Sequence, residues 1–255
     1  MPGPAGILLA LIVATQSPLE LGKAAMDAHD PAAAIAHFGN ADSREGRAWL
    51  AVALMMESRA PSDPYIERAF DAAARSRSNN PAGVRSRAEL AAALRPGEMV
   101  VTYLFVEQHA YGWAFDRDAM IGYPLPRPRE IATAVEHLRA YLAADDRAGV
   151  ERVAGELVPA LLGPVLDRTS APTRLVVVPH GPIGELPLDR LLDAFGLDLP
   201  VSTAADAALL EEIKRPPSPR RTPRSIAVRA GAVAAAVLWF VMLSRRARRR
   251  SRARS

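Results

Sequence analysis

The sequence predicts an α + α/β protein carrying a transmembrane helix near its C-terminus, and three observations support this. Residues 17–95 place their apolar side chains only at helical spacing. Residues 96–213 alternate β-rich runs, MVVTYLFV and RLVVV, with further helical stretches. Residues 226–243 form an apolar run interrupted only by Arg229, just long enough to span a bilayer. The chain has 255 residues, 49% of them hydrophobic, which is enough for one medium domain or two small ones, each with its own core.

Gly6 to Ala14, GILLALIVA, has the length of a signal-peptide hydrophobic region, but no Lys or Arg precedes it and no clean A-x-A site follows. Two readings of residues 1–16 therefore stay open, a signal peptide or the first apolar helix. In 17–95, Leu19 to Phe38 carries a glycine in its first helix, an Asp-Pro turn, and Ala34, Ile35 and Phe38 on one face of a second. Such a pair resembles a tetratricopeptide unit, in which small residues let two antiparallel helices approach closely. Residues 45–57 and 64–76 supply a second pair at similar spacing. An ordinary helical bundle is the competing reading.

After Arg95-Pro96-Gly97 the grammar changes. Met99 to Val106 reads as a strand, Glu107 to Ala110 as a turn, and Tyr111–Phe115 and Met120–Leu125 as two more strands of a meander. Arg129 to Ala144 is helical, with Ile131, Val135, Leu138 and Leu142 on one face, and a helix from Gly149 to Leu162 ends near Gly163-Pro164. Arg174 to Val178 is apolar on both faces, the pattern of a buried strand, and closes in Pro179-His180-Gly181-Pro182. Helices at 186–194 and 205–213 follow. If 174–178 is a central strand, its outer edge needs cover, from 198–213, from a partner strand or from a second copy.

Charge is segregated. All 28 acidic residues lie at or before Glu212, and thirteen basic ones follow it, so the net charge of +4 hides a body of −9 and a tail of +13. An acidic body argues against nucleic-acid binding. The basic Pro/Arg linker 214–225 precedes the apolar span 226–243, and the Arg-rich tail 244–255 follows it. Both flanks suit anionic lipid, and their near balance leaves the side of the membrane open.

The chain has no cysteine, which excludes thiol nucleophiles, disulfides and zinc thiolate sites. It also lacks G-x-S-x-G, a glycine-rich phosphate loop and H-E-x-x-H. His29, His37, His109 and His137 stand apart without metal-ligand spacing. Asp116 and Asp118, and Asp145 and Asp146, each beside an arginine, read as solvated turns. No catalytic, cofactor-binding or metal-ligating residue is expected.

Six blocks in order carry a family resemblance: Pro96-Gly97-Glu98 into MVVTYLFVE, YGWAFDRDAMIGYPLP, IATAVEHLRAYL, ELVPALLGPVL, RLVVVPHGPIGELPLDRLL and VSTAADAALL. Over about residues 96–210 they resemble the front part of a CHAT domain, the caspase-like domain often found behind tetratricopeptide repeats. The resemblance implies the N-terminal portion of a caspase-like α/β sandwich. It also implies that the family's His-Cys dyad lies further on, in a strand ending in His-Gly and another leading to Ser-Ala-Cys. Neither block is present, and His180-Gly181 falls in what the family pattern makes a structural turn. The expectation is a non-catalytic, membrane-anchored protein-interaction module with a truncated CHAT-like domain. The alternative is the scaffold half of a two-piece cysteine protease whose His-Cys half is encoded separately.

Overall fold

The computed structural model describes residues 16–60, 63–167 and 172–217, and over them the protein is mixed α/β. No helix among the described residues is long and apolar enough to cross a membrane. The segments 1–15 and 218–255, with the signal or apolar-helix reading, the linker from residue 218 onward, the 226–243 span and the Arg-rich tail, lie outside them. The described chain divides into two units. One takes in the residues up to Glu89 with Met120–Gly122, the other Leu90–Ala119 and the residues from Tyr123 onward.

The first unit is built of α1 (Pro18–Asp27), α2 (Pro31–Gly39), α3 (Arg44–Glu57) and α4 (Pro64–Arg77). Each helix starts on a side chain that accepts a hydrogen bond from one of its otherwise unsatisfied N–H groups: Ser17, Asp30, Ser43 and Asp63. Ser17 and Glu20 complete a capping box, and Pro18, Pro31 and Pro64 stand where a missing N–H costs nothing. Between α1 and α2, His29 takes a left-handed backbone (φ 59°), so that the Asp30 N–H reaches the carbonyl of Ala25. Gly22 is the close-approach point, since a Cβ there would lie 2.3 Å from the Phe38 ring. Ala34 and Phe38 are buried as expected, whereas Ile35 is only half-buried. Phe38 stacks on Trp49 of α3, with ring centroids 6.0 Å apart.

Asp71 on α4 is half-buried, and that burial raises its carboxyl above the ordinary value, against the attraction of Arg75. A raised folded pKa means that the fold favours the protonated form, so stability falls as pH rises through the carboxylate range. Asp71→Asn should therefore be more stable than the native chain at neutral pH, by an amount that disappears below about pH 4, near the carboxylate reference value. Urea melts of both at the two pH values check this. A variant no more stable at pH 7 would show that Asp71 is well solvated.

β1 (Glu98–Val106), β2 (His109–Phe115), β3 (Met120–Pro124), β4 (Arg174–Val178) and β5 (Val201–Thr203) form one sheet in the order β3-β2-β1-β4-β5, which belongs to the second unit apart from Met120–Gly122 of β3. β1 and β2 are antiparallel, and β1, β4 and β5 are parallel. The connection between β1 and β2 is shorter than the four residues expected: Val106 already pairs with His109, across Glu107 in a left-handed conformation (φ 49°). Ala110 therefore belongs to β2.

The register places Val100, Thr102, Leu104, Tyr111, Trp113 and Phe115 on one face, and Val101, Tyr103, Phe105, Ala110, Gly112 and Ala114 on the other. A short helix, α5 (Arg87–Ala93), precedes β1, and three more accompany the sheet: α6 (Pro128–Ala143), α7 (Arg147–Leu166) and α8 (Leu188–Phe195). α7 runs four residues past the expected stop and carries both Pro159 and Pro164 within it. Each proline costs a helical hydrogen bond, about 3 kcal/mol in an exposed helix. Burial of Val158, Leu161, Leu162 and Val165 outweighs that cost and carries the helix on to Leu166.

Tyr103 and Tyr123 both donate to the Leu161 carbonyl, at 3.3 and 2.9 Å, and burial pushes both phenols well above the ordinary value. The Tyr123 ring lies over Gly112, where a Cβ would sit 2.6 Å from it. Gly112→Ala should thus cost about 1–3 kcal/mol through overpacking of a hydrogen-bonded ring that has nowhere to go. A chemical-denaturation midpoint equal to that of the native chain would show that the ring can shift.

Candidate functional site

The described residues that differ most from an ordinary core gather around the heads of β1 and β4. Arg174 opens the strand that the sequence presents as wholly apolar, and the residue is 3% exposed. Its in-register neighbour on β1 is Glu98, also 3% exposed, 3.4 Å from one guanidinium nitrogen. The other nitrogen lies 3.0 Å from a Glu212 carboxylate oxygen and 3.1 Å from the Ser202 hydroxyl of β5. A buried cation with two buried carboxylates is balanced only if the remaining hydrogen-bonding capacity is also used.

That capacity is used on the helix that follows. After a 3₁₀ turn at Asp206–Ala208, α9 (Leu209–Lys214) ends over Arg174. Its terminal carbonyls accept from the guanidinium: Glu212 at 2.9 Å, Ile213 at 3.4 Å and Arg215 at 2.9 Å. The cation thereby caps the negative end of the helix. Leu209 and Ile213 are buried at 2% and 0%. Glu212 is held from its other side by Arg215 at 2.6 Å, and the second oxygen of Glu98 accepts from the Arg95 N–H at 2.9 Å. One side chain thus joins β1, β4, β5 and α9.

β5 covers the outer edge of β4, pairing Leu175 with Val201 and Val177 with Thr203. Leu175 N–H donates to Pro200, and Ala204 N–H to Val177, so the even-numbered residues of this segment turn their backbone groups toward β4. Alternation then turns the N–H and C=O of Val201 and Thr203 outward. Among the described residues no further strand lies beyond β5.

His180, directly after β4, accepts the Phe105 N–H through Nδ1 at 3.0 Å, and its ring stacks on Phe105 with centroids 6.2 Å apart. It anchors the turn that begins at Gly181 (φ 54°). The other histidines are dispersed: His29 and His37 on the α1–α2 pair, His109 at the head of β2, and His137 exposed on α6 beside Tyr141. Asp116 accepts from the N–H groups of Asp118 and Ala119, both at 2.8 Å, which makes it the core of a turn. Asp145 is left-handed (φ 52°), and Asp146 caps α7 through the Gly149 N–H at 3.0 Å. Among the described residues no three metal-ligating side chains come together.

The sequence offers 198–213 as one cover for the outer edge of β4 but not that part of it pairs as a strand, β5, and the Arg174 cluster was not expected. The signal for the cluster was an arginine at the head of an otherwise apolar strand, with carboxylates at positions 98 and 212. No family model matches the chain, and neither a curated protein nor a solved structure matches it.

Proposed function

We propose that this protein is a non-catalytic interaction module tethered to a membrane through residues 226–243, with the repeat-like helices and the truncated CHAT-like sheet as its binding body. The observation that supports it most directly is the way the sheet stops. β5, the last strand among the described residues, is three residues long, and a chain without cysteine has none of the thiol chemistry that the resemblance would call for. The chain then turns into α9, whose end is fixed by Arg174, and the described fold ends at residue 217, within the basic linker. An acidic body and a +13 tail suit a span beside anionic lipid.

The scaffold half of a two-piece cysteine protease is the second reading, favoured by the same outward-facing backbone of β5, which a complementary chain could extend. The deciding experiment isolates the full-length protein from alkali-washed host membranes and identifies stoichiometric partners. The module reading requires retention in the washed membrane and loss of it when 226–243 is deleted. A protein found wholly in the wash defeats the membrane assignment. Recovery at equal amount of a chain with a His-Gly strand and a Ser-Ala-Cys segment makes the two-piece enzyme the better account.

A further inference from the structure

We infer that Arg174 is a register lock: it decides which residues of the segment 198–215 pair with β4 and where the chain leaves the sheet. The lock stands independently of the membrane reading, which gives it a use, since the basic linker begins where the lock ends. Burial alone leaves the register open. None of the residues from Ser202 to Ala208 is buried, and Ala204, Ala205, Ala207 and Ala208 among them are small as well. Val201 before them is half-buried, and the next buried side chain is Leu209 of α9. β5 itself contributes only three pairs, Leu175 with Val201, Val176 with Ser202 and Val177 with Thr203.

A strand this short can slide by two residues without turning any side chain to the wrong face. In one direction Pro200 would take the place of Ser202, whose backbone faces β4, and a residue without an N–H would interrupt the ladder. In the other direction Ala204 would take that place and Thr203 would stand opposite Leu175, and every residue brought in carries an N–H. The apolar cost of that slide is a half-buried valine. Its larger cost is the arginine. One guanidinium nitrogen of Arg174 donates to Ser202 Oγ at 3.1 Å and to the Glu212 carboxylate and carbonyl at 3.0 and 2.9 Å. The other donates to the carbonyls of Ile213 and Arg215 and to Glu98, its in-register neighbour on β1. One planar fork therefore ties β5 and the end of α9 to the same point of the sheet, and a slide would put an alanine methyl where the Ser202 hydroxyl is held. Buried ion clusters often add little net stability over apolar packing, so what this one contributes is the choice of register.

The chain has no cysteine, so spin labels can be placed one pair at a time. Nitroxides at Gln108→Cys and Thr203→Cys, both exposed positions, report where β5 sits along the sheet, because β1 and β5 run parallel and Gln108 lies just past the end of β1. In the full-length protein in neutral detergent, pulsed electron paramagnetic resonance should give a single distance for this pair. In the background Glu98→Met/Arg174→Met/Glu212→Leu, which removes the buried charges together, a second distance longer by about 6–7 Å should appear, two residues of strand at about 3.3 Å each. The pair Gln108→Cys/Lys214→Cys should lose its single distance in the same background. Ser202→Ala, which leaves every ion in place, is the second check: the longer distance should appear at Thr203→Cys while that at Lys214→Cys stays as it was.

A single native distance in the triple background, with a cooperative urea transition showing that the unit is folded, overturns the proposal, since pairing and burial would then set the register alone. Two distances in the native background overturn it as well, because no lock would be acting. If the triple variant does not fold, Ser202→Ala decides, and an unchanged single distance at Thr203→Cys counts against the lock. Loss of the protein from alkali-washed membranes would remove the membrane reading and leave the lock standing, so the two fail separately.

Discussion

Replacing Arg174 with methionine should destabilise the second unit by about 3–5 kcal/mol, because it strands two buried carboxylates and three helix-terminal carbonyls at once. Glu98 and Glu212 are 3% and 7% exposed, so neither can recover its lost partner from water without opening the structure. Arg215 still holds one oxygen of Glu212, and the Arg95 N–H one oxygen of Glu98, which keeps the loss short of that for two fully isolated charges. Arg174→Lys should lie between. An ammonium keeps the charge, but its three donors on one nitrogen cannot reach Glu98, Ser202 and the α9 carbonyls together as a planar fork does. The triple replacement Glu98→Met/Arg174→Met/Glu212→Leu removes the three buried charges, leaving only the exposed Arg215, and should recover to within about 2 kcal/mol of the native value, since buried ion clusters are often no more stabilising than a well-packed apolar set. Urea unfolding of the full-length chain in neutral detergent, with hydrogen exchange assigning the transition to the second unit, measures all three. If Arg174→Met unfolds at the native urea concentration, water reaches the cluster and its energetic importance is refuted.

The same cluster marks where sequence reasoning ran out. RLVVV was legible as a buried strand because its apolar side chains face both ways, and β4 spans those residues. Nothing local showed that its arginine would be buried, since that depends on carboxylates 76 positions before it and 38 after it. β5 was missed for a related reason. Three residues, VST, are too few to show a period, and they become a strand only because β4 supplies the ladder. α7 was read too short because Gly163-Pro164 is a strong local stop signal, whereas burial along the helix is not local at all. The helices of the first unit were legible to within a residue or two because their caps and prolines are local chemistry. The expectation of no catalytic constellation was an inference from composition.

A mutant cycle at Gly22 and Phe38 tests whether the small-residue contact legible in the first helix pair is the one that sets its packing. Phe38→Ala should cost about 3–5 kcal/mol, since it empties a site that is 1% exposed and ends the stack on Trp49. Gly22→Ala alone presents two opposed effects. Alanine in a helix gains about 1 kcal/mol over glycine. Its methyl, however, would sit 2.3 to 2.7 Å from three carbons of the Phe38 ring, and overpacking of that kind costs about 1–3 kcal/mol. Because Phe38 is pinned by Trp49, relief by ring movement is small, and the net result should be a loss on the order of 1 kcal/mol. In the Phe38→Ala background the ring is gone, so the same Gly22→Ala change should turn into a gain approaching the helix-propensity value of about 1 kcal/mol. That inversion of sign is what a direct contact requires, and the coupling should fall within the 0.5–3 kcal/mol typical of touching residues, as an order-of-magnitude range. Hydrogen exchange of the α1–α3 amides provides the four stabilities. Additive values would mean that helix propensity, not the glycine-to-ring approach, decides how α1 and α2 come together.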